Sequence, residues 1–476
     1  MRSKKARNVI FVSLLLAIFS IVSLAFSCTP KVLAASSPDE FNAPQKQPNI
    51  VLIVADDLGY GDVGYLGSEI PTPTLDSLAF NGVQLNRYYT FPMCTPSRAA
   101  LLTGQYPTKI GMHGSVIGPY SSKGLPTELK TLPDYLSELG YAKRGSVGKW
   151  HLGHSNRKYH PNNRGFNYFC GHYGGLIDFF TYKNKGIRDW HENYESVEEE
   201  DYATDVISEK AVNFIDGVEG DDPFFLYVAY NAPHTPLQAK KEDLIACGYD
   251  EEKGSYLKDP AYPKKGRGNT KRQTYTAMVK SMDAGIATII DKLKSEGKSD
   301  NTVILFVSDN GGNLNEGADN GILKKGKSSF YEGGIRVPAF INSPMLHKKK
   351  IKSESIIDFP VSYVDILPTI LGFTDMDPFL NSDLDGDDIF LLSEFRSVRR
   401  SILINKFCFV QGPWKLLKGA LYNVQNDPSE NRDVKNEYPN LYEDLSKQRD
   451  DLVRLKAIDP LPDGKHKLLP NWEMPK

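Results

Sequence analysis

Asp56 and Asp57 stand side by side, directly after the apolar run Asn49 to Ala55 and ahead of a glycine-rich turn. Adjacent carboxylates repel unless a cation lies between them or one is protonated. Asp309 and Asn310 follow another apolar run, Thr302 to Val307, and would complete an oxygen-rich set suited to calcium or magnesium. The alternative is a group of solvent-facing loop acids, since paired Asp residues are common in turns. A second grouping is Cys94-Thr95-Pro96-Ser97-Arg98, followed by Ala99 to Gly104. A helix starting near Ser97, together with the Arg98 cation, would lower the thiol pKa of Cys94 and favour a nucleophilic thiolate. The alternative there is a small buried thiol packed as an apolar side chain.

These residues need elements that bring them together. Four short apolar runs deliver polar residues just past their ends: Asn49 to Ala55 into Asp56 and Asp57, Tyr141 to Val147 into Gly148, Lys149 and His151, Phe224 to Tyr230 into Asn231 and His234, and Thr302 to Val307 into Asp309 and Asn310. Such runs suit strands buried on both faces. Helical spacing appears over Asp201 to Val218 and over Thr274 to Leu293, where Met278, Met282, Ile286, Ile289, Ile290 and Leu293 form one stripe. Strands alternating with helices imply an α/β sheet, whose ligands bind beyond the carboxyl ends of the strands. Past about Thr374 the texture changes to an acidic stretch, then short β-like runs at Ser401 to Asn405, Phe407 to Gln411 and Trp414 to Leu417, and a helix from about Pro439 to Leu455. The expected organisation is therefore a leader over 1–35, a catalytic domain over 46–374 and a smaller C-terminal α+β subdomain over 375–476.

The chain has 476 residues, 40% hydrophobic and 24% charged, which is ordinary globular composition and ample for a large core. Lys and Arg total 57 against 59 Asp and Glu, a formal net charge of -2 that argues against a general nucleic-acid binder. Arg2, Lys4, Lys5 and Arg7 precede the apolar run Val9 to Phe26, with small residues at Ala34 and Ala35, which reads as a secretory signal peptide. An uncleaved signal anchor is the alternative, and Cys28 loosely suggests a lipoprotein site. Cleavage after Ala34 removes five cations and no acid, taking the exported, periplasmic or secreted form to -7 with no stable membrane span. The remaining Cys94, Cys170, Cys247 and Cys408 are too few for a disulfide scaffold.

The run Cys94-Thr95-Pro96-Ser97-Arg98 with Leu102-Thr103-Gly104 resembles the signature of the type I sulfatases, in which the Cys is oxidised to formylglycine (3-oxoalanine). The resemblance extends over Pro48 to Gly61, Gly148 to Gly153, Ala232 to Leu237, Ser308 to Gly312 and Gly326 to Pro338, and includes Tyr422 with Asn426-Asp427-Pro428 as in the arylsulfatase B, or N-acetylgalactosamine-4-sulfatase, branch. It implies an alkaline-phosphatase-like fold, a mixed sheet sandwiched by helices. It also implies one calcium ion held by Asp56, Asp57, Asp309, Asn310 and the formylglycine at Cys94, and a formylglycine-generating or anaerobic maturase as partner. By the same resemblance Arg98 and Lys149 hold the formylglycine and the sulfate, His151 stands beside the nucleophile, and His234 and Lys327 face the sulfate and the leaving oxygen.

The implied chemistry is attack on sulfur by a hydroxyl of the hydrated aldehyde, with His234 or Lys327 protonating the leaving sugar oxygen and His151 taking the proton that lets the sulfate depart. The substrate expected from the branch is an O-sulfate on galactose or N-acetylgalactosamine within a galactan such as carrageenan or within a glycosaminoglycan. Competing readings are a phosphate or phosphonate ester hydrolase of the same superfamily and a non-catalytic binder of sulfated sugars. His113, Tyr120, His154, His172, Asp178, Asn315 and Asp319 lie near the motifs and could line sugar subsites or be ordinary loop polarity. Lys264, Lys265, Arg267, Lys271 and Arg272 form a basic stretch that could touch a polyanion, or be a solvated loop, the preferred reading.

Overall fold

Alternate residues of the apolar runs divide between two cores. Ile50, Leu52 and Val54 of the first strand point into one, with Val303, Leu305, Phe225 and Tyr227, while Val51 and Ile53 point into the other with Ile304, Phe306, Leu226 and Val228. That is the side-chain period of a strand covered on both faces, and it explains why these runs are continuously apolar. The computed structural model describes residues 46–256, 266–349, 351–352, 354–374, 376, 383–392, 399–456 and 458–475. The leader, Cys28, Lys264 and Lys265 lie outside the described residues.

The central sheet has ten strands: β1 (Asn49–Ala55), β2 (Val83–Leu85), β3 (Lys143–Lys149), β4 (Tyr168–His172), β5 (His191–Glu192), β6 (Glu195–Ser196), β7 (Phe224–Ala229), β8 (Thr302–Ser308), β9 (Ala339–Asn342) and β10 (Ser355–Ile357). Their spatial order is β10-β2-β9-β8-β1-β7-β3-β4-β5-β6. The five central strands, β8, β1, β7, β3 and β4, run parallel, so their carboxyl ends share one edge. Antiparallel neighbours flank them, which makes the sheet mixed. One face is covered by α1 (Cys94–Thr103), the other by α2 (Ala203–Asp216) and α3 (Lys271–Ser295).

Two of the boundaries that differ from the sequence expectation bear on the site. β3 starts at Lys143 instead of Tyr141, because the Tyr141 N–H still donates to Leu136 O, closing the helix Leu132–Glu138, and the Tyr141 hydroxyl donates to Pro48 O. Lys149 is thereby the last residue of the strand and not part of the loop after it. α1 starts at Cys94 instead of near Ser97: the Ser97 N–H closes the first turn on Met93 O, and Pro96 is tolerated there because its missing N–H lies among those without an intrahelical partner.

The C-terminal region forms a four-stranded antiparallel sheet of β11 (Ser401–Asn405), β12 (Cys408–Gln411), β13 (Trp414–Leu417) and β14 (Ala420–Asn423), followed by α4 (Pro439–Lys456). β14 has no counterpart in the sequence reading, its short run being hidden behind the Lys418-Gly419 turn. This sheet and the central one belong to one unit, Gln47–Lys476. No helix among the described residues is long and apolar enough to cross a membrane.

Candidate active site

The parallel strands carry their polar ends to one place. Asp56 leaves β1 with its N–H on Ala232 O, and Asp57 adopts a left-handed backbone, φ 65°, which splits the two carboxylates apart. Lys149 Nζ lies 2.5 Å from Asp56 Oδ2, and Lys327 Nζ lies 2.7 Å from Asp57 Oδ2 and 3.7 Å from Cys94 Sγ. Cys94 Sγ is 3.7 Å from Asp56 Oδ1, and His234 Nε2 is 3.7 Å from Asp57 Oδ2. One ligand atom from each of Asp56, Asp57, Cys94 and His234 falls within 4.8 Å of the others. Asp309 receives two N–H bonds from Arg98 at 2.9 and 3.1 Å, and Asn310 Nδ2 donates to Asp57 Oδ1 at 2.7 Å.

Backbone shape makes this approach possible. Gly148 in β3 has φ 97°, and a Cβ there would meet Ala229 O of the neighbouring strand at 2.0 Å, so a side chain at 148 would push Lys149 away from Asp56. Arg98, on α1 and fully buried, also donates to Lys149 O and the Tyr227 hydroxyl, at 3.1 and 3.3 Å. Thr95 ties the start of α1 to the opposite loop by donating to His151 O and accepting from the Ile117 N–H.

The charges settle accordingly. Burial resists ionisation of Asp57, but Lys327 and His234 hold its carboxyl down at about 2. Burial, reinforced by Asp56, pushes Asp309 up to about 6 against the pull of Arg98. The thiol of Cys94, expected to be acidic from its helix start and Arg98, is instead pushed up to about 12. Burial does this and outweighs the nearby Lys149 and Lys327. His151 is held neutral, first by burial and then by Lys149 and Arg98. Its Nε2 lies 3.0 Å from Ile117 O and so carries the proton, leaving a buried Nδ1 with no hydrogen-bond partner. His234 is pushed down to about 3 by burial and then Lys327; its Nδ1–H faces Thr235 O at 2.6 Å. Burial works against the charge of Lys327, yet Asp57 keeps its ammonium protonated far into the alkaline range.

A cavity of about 1160 Å³ opens over this floor, where Cys94, His151, His234 and Lys327 all reach its lining. Residues 48–376 match the family model described as Sulfatase. The chain belongs to the sulfatase family. Arylsulfatase J of Mus musculus is 37% identical over 378 residues, 77% of this chain and 60% of that protein. N-acetylgalactosamine-6-sulfatase of Mus musculus is 32% identical, over 75% of this chain and 68% of that one. The solved structure of Ps i-CgsB in complex with k-i-k-neocarrahexaose superposes with a TM-score of 0.76 at 35% identity, covering 87% of this chain and 94% of that one. The relatives carry both arylsulfatase and N-acetylgalactosamine-sulfatase names, so the likeness is to the family and not to a single branch.

The secondary candidates separate. Asp178 lines the cavity, while His113 Nδ1 faces Pro107 O, Tyr120 is exposed, and His154 Nε2 faces Pro119 O with its ring 4.9 Å from that of Trp472. His172 is fully buried and held by Asn231 at 2.8 Å, where burial drives it down to about 4. Asn315 accepts from Lys271 through its carbonyl, and the Asp319 N–H donates to Asp62. In the basic stretch, Arg267 and Lys271 reach the cavity, but Lys271 is paired with Glu316 and Arg272 with Asp62 and Glu69. Thr95, Tyr227 and Asn231 support the site in roles that the sequence pattern did not assign to them. Thr95 and Asn231 flank residues already singled out, whereas Tyr227 sits mid-strand and carried no signal.

Proposed function

We propose that the chain is an exported carbohydrate sulfatase that hydrolyses O-sulfate monoesters on galactose or N-acetylgalactosamine units of a sulfated polysaccharide, a carrageenan-type galactan or a glycosaminoglycan, releasing inorganic sulfate. The observation that carries this reading is the convergence of Asp56, Asp57, residue 94, Lys149, His151, His234 and Lys327 where the parallel strands end, under one cavity. The neocarrahexaose in complex with Ps i-CgsB and the names of the galactosamine sulfatases support the sugar class. Export rests on the basic, apolar leader.

In this reading Cys94 is converted to formylglycine by a maturase, and Asp56, Asp57, Asp309, Asn310 and residue 94 hold one calcium ion. The residues fit such an ion: the donors are hard oxygens, and Asn310 Oδ1 is buried without a hydrogen-bond partner. When present, calcium supplies positive charge and the hydrated aldehyde supplies a hydroxyl nucleophile, which a buried thiol at about 12 does not offer. Lys149, buried against Asp56, and Lys327, on the cavity wall, place cationic charge near where the peripheral oxygens of a sulfate gain negative charge in the transition state. Neutral His151, with its free Nδ1, is set to take a proton from residue 94. Lys327 enters the reaction holding a proton and is the donor to the leaving sugar oxygen, while His234 in the free chain offers a lone pair.

The test is sulfate release from sulfated galactans and galactosaminoglycans by protein whose formylglycine at residue 94 has been verified by mass spectrometry. Release is expected only from the converted protein. Turnover of phosphate esters with Cys94 intact would favour the phosphatase reading instead.

A further inference from the structure

A hairpin on the cavity wall does not fit the sulfate-cleaving floor. Lys183–Asn184 pairs antiparallel with Ile187–Arg188, leaving Lys185 and Gly186 as a two-residue turn with φ 53° and 80°. Positive φ at both positions is the type I′ turn, whose first position favours Asn, Asp or Gly; a lysine there is conformationally unfavourable. The hairpin is firmly held: the Asp178 N–H bonds to Lys183 O, the Tyr182 N–H to Asp178 O and the Asp189 N–H to Tyr182 O. Buried Asp189 in turn accepts from the Tyr173 and Gly174 N–H groups.

Lys183 and Lys185 are both exposed and both line the cavity that holds Cys94. Among the described residues neither ammonium group has an ion-pair partner. The acid closest along the chain on the same wall, Asp178, is occupied by the Phe180 and Thr181 N–H groups and by Gln238 Nε2. A strained backbone position therefore displays an uncompensated cation toward the ligand space, in a chain whose formal charge is negative overall.

We infer that Lys183 and Lys185 form a subsite for a second anion on the same saccharide, a sulfate ester or a carboxylate on a neighbouring sugar, so that the preferred substrate is a multiply charged chain and not an isolated monosulfate. This rests on the sulfatase reading and deepens it. Two exposed charge pairs, each worth about threefold, together give about tenfold in affinity.

The experiment uses the full chain carrying Cys94→Ala to block turnover. Calorimetric affinities are measured for three tetrasaccharides: a monosulfated neutral galactan, the same galactan with a second sulfate on the next sugar, and a monosulfated one bearing a uronate carboxylate. At least one doubly charged ligand is expected to bind about tenfold more tightly than the monosulfated one, and the arm that does so identifies the anion. Adding Lys185→Asn, which gives the turn its favoured residue, and Lys183→Gln is expected to reduce that ratio to below about threefold, with the melting temperature held or raised. An unchanged ratio in the variant, or equal affinities for all three ligands in the parent, overturns the subsite while leaving the sulfatase reading standing. Failure of the parent to bind any of them, with no sulfate release by the converted enzyme, overturns the sulfatase reading and the subsite with it.

Discussion

At residue 94, burial among Asp56, Lys149 and Lys327 makes an unmodified thiol a weak nucleophile, since most of it stays protonated at neutral pH. Cys94→Ala is expected to abolish sulfate release while the protein still binds sulfated ligand; turnover unchanged by that substitution would remove residue 94 from the mechanism. Lys327→Ala is expected to lower kcat by about 10²- to 10³-fold, the range for losing one preorganised charge donor, checked by steady-state kinetics on a sulfated oligosaccharide. At this scale much was legible, because the chemistry demands unusual residue types: paired acids, a Cys ahead of Pro and Arg, and cations after apolar runs. What was not legible depends on contacts across the fold. The raised thiol pKa of Cys94 follows from burial that no local pattern records, and the Tyr227 hydroxyl reaches Arg98 from a strand interior.

Among the elements, the strands β1, β7 and β8 announce themselves because both faces are covered. β5, β6 and β10 have two or three residues each, too short to show a period, and exist through pairing alone. One link between elements matters for catalysis. Lys415 of β13, fully buried, holds Glu332 at 3.0 Å and Glu430 at 2.9 Å, and Glu332 also accepts from the Tyr89 hydroxyl. Glu332 opens the short helix Glu332–Ile335, against which the loop carrying Lys327 folds: the Gly333 N–H bonds to Lys324 O. Lys415→Met leaves buried Glu430 without its cation and Glu332 with Arg336 at 3.8 Å as its remaining one among the described residues, and is expected to cost about 3–5 kcal/mol, measured by chemical denaturation. A loss below about 1 kcal/mol would show that the triad is not what fixes the C-terminal sheet to the site.

A second element-scale prediction concerns pH. His160 is buried, donates from Nε2 to Asn193 O at 2.7 Å and accepts the Asn162 N–H on Nδ1 at 3.0 Å, which requires a neutral ring. Burial lowers it to about 4, against 6.5 when free. Between those values the unfolded chain binds the proton and the folded one does not. The contribution of His160 is thus complete above about 6.5 and is lost as pH falls toward 4, an effect on the order of 3 kcal/mol. Melting curves should show the acid-side decline flattened in His160→Gln relative to the parent.

Over the whole molecule, the central sheet, both covering layers and the C-terminal sheet belong to one unit, so calorimetry should record one cooperative unfolding transition for the metal-free chain. Two separate transitions would mean that the C-terminal region folds independently. The composition-level expectation of an α/β catalytic body with a smaller C-terminal companion fits the architecture in order. The seam between them could not be read, because its charges are buried pairs drawn from distant parts of the chain. Everything proposed for the site turns on residue 94, as formylglycine, driving sulfate ester hydrolysis on a galactose-type sugar. The most direct measurement is of inorganic sulfate released from sulfated galactan and galactosaminoglycan oligosaccharides by protein fully converted at residue 94, beside Cys94→Ala. Release from at least one of these by the converted protein, and none by the variant, is the expected result; no release from any, with conversion verified, would contradict it.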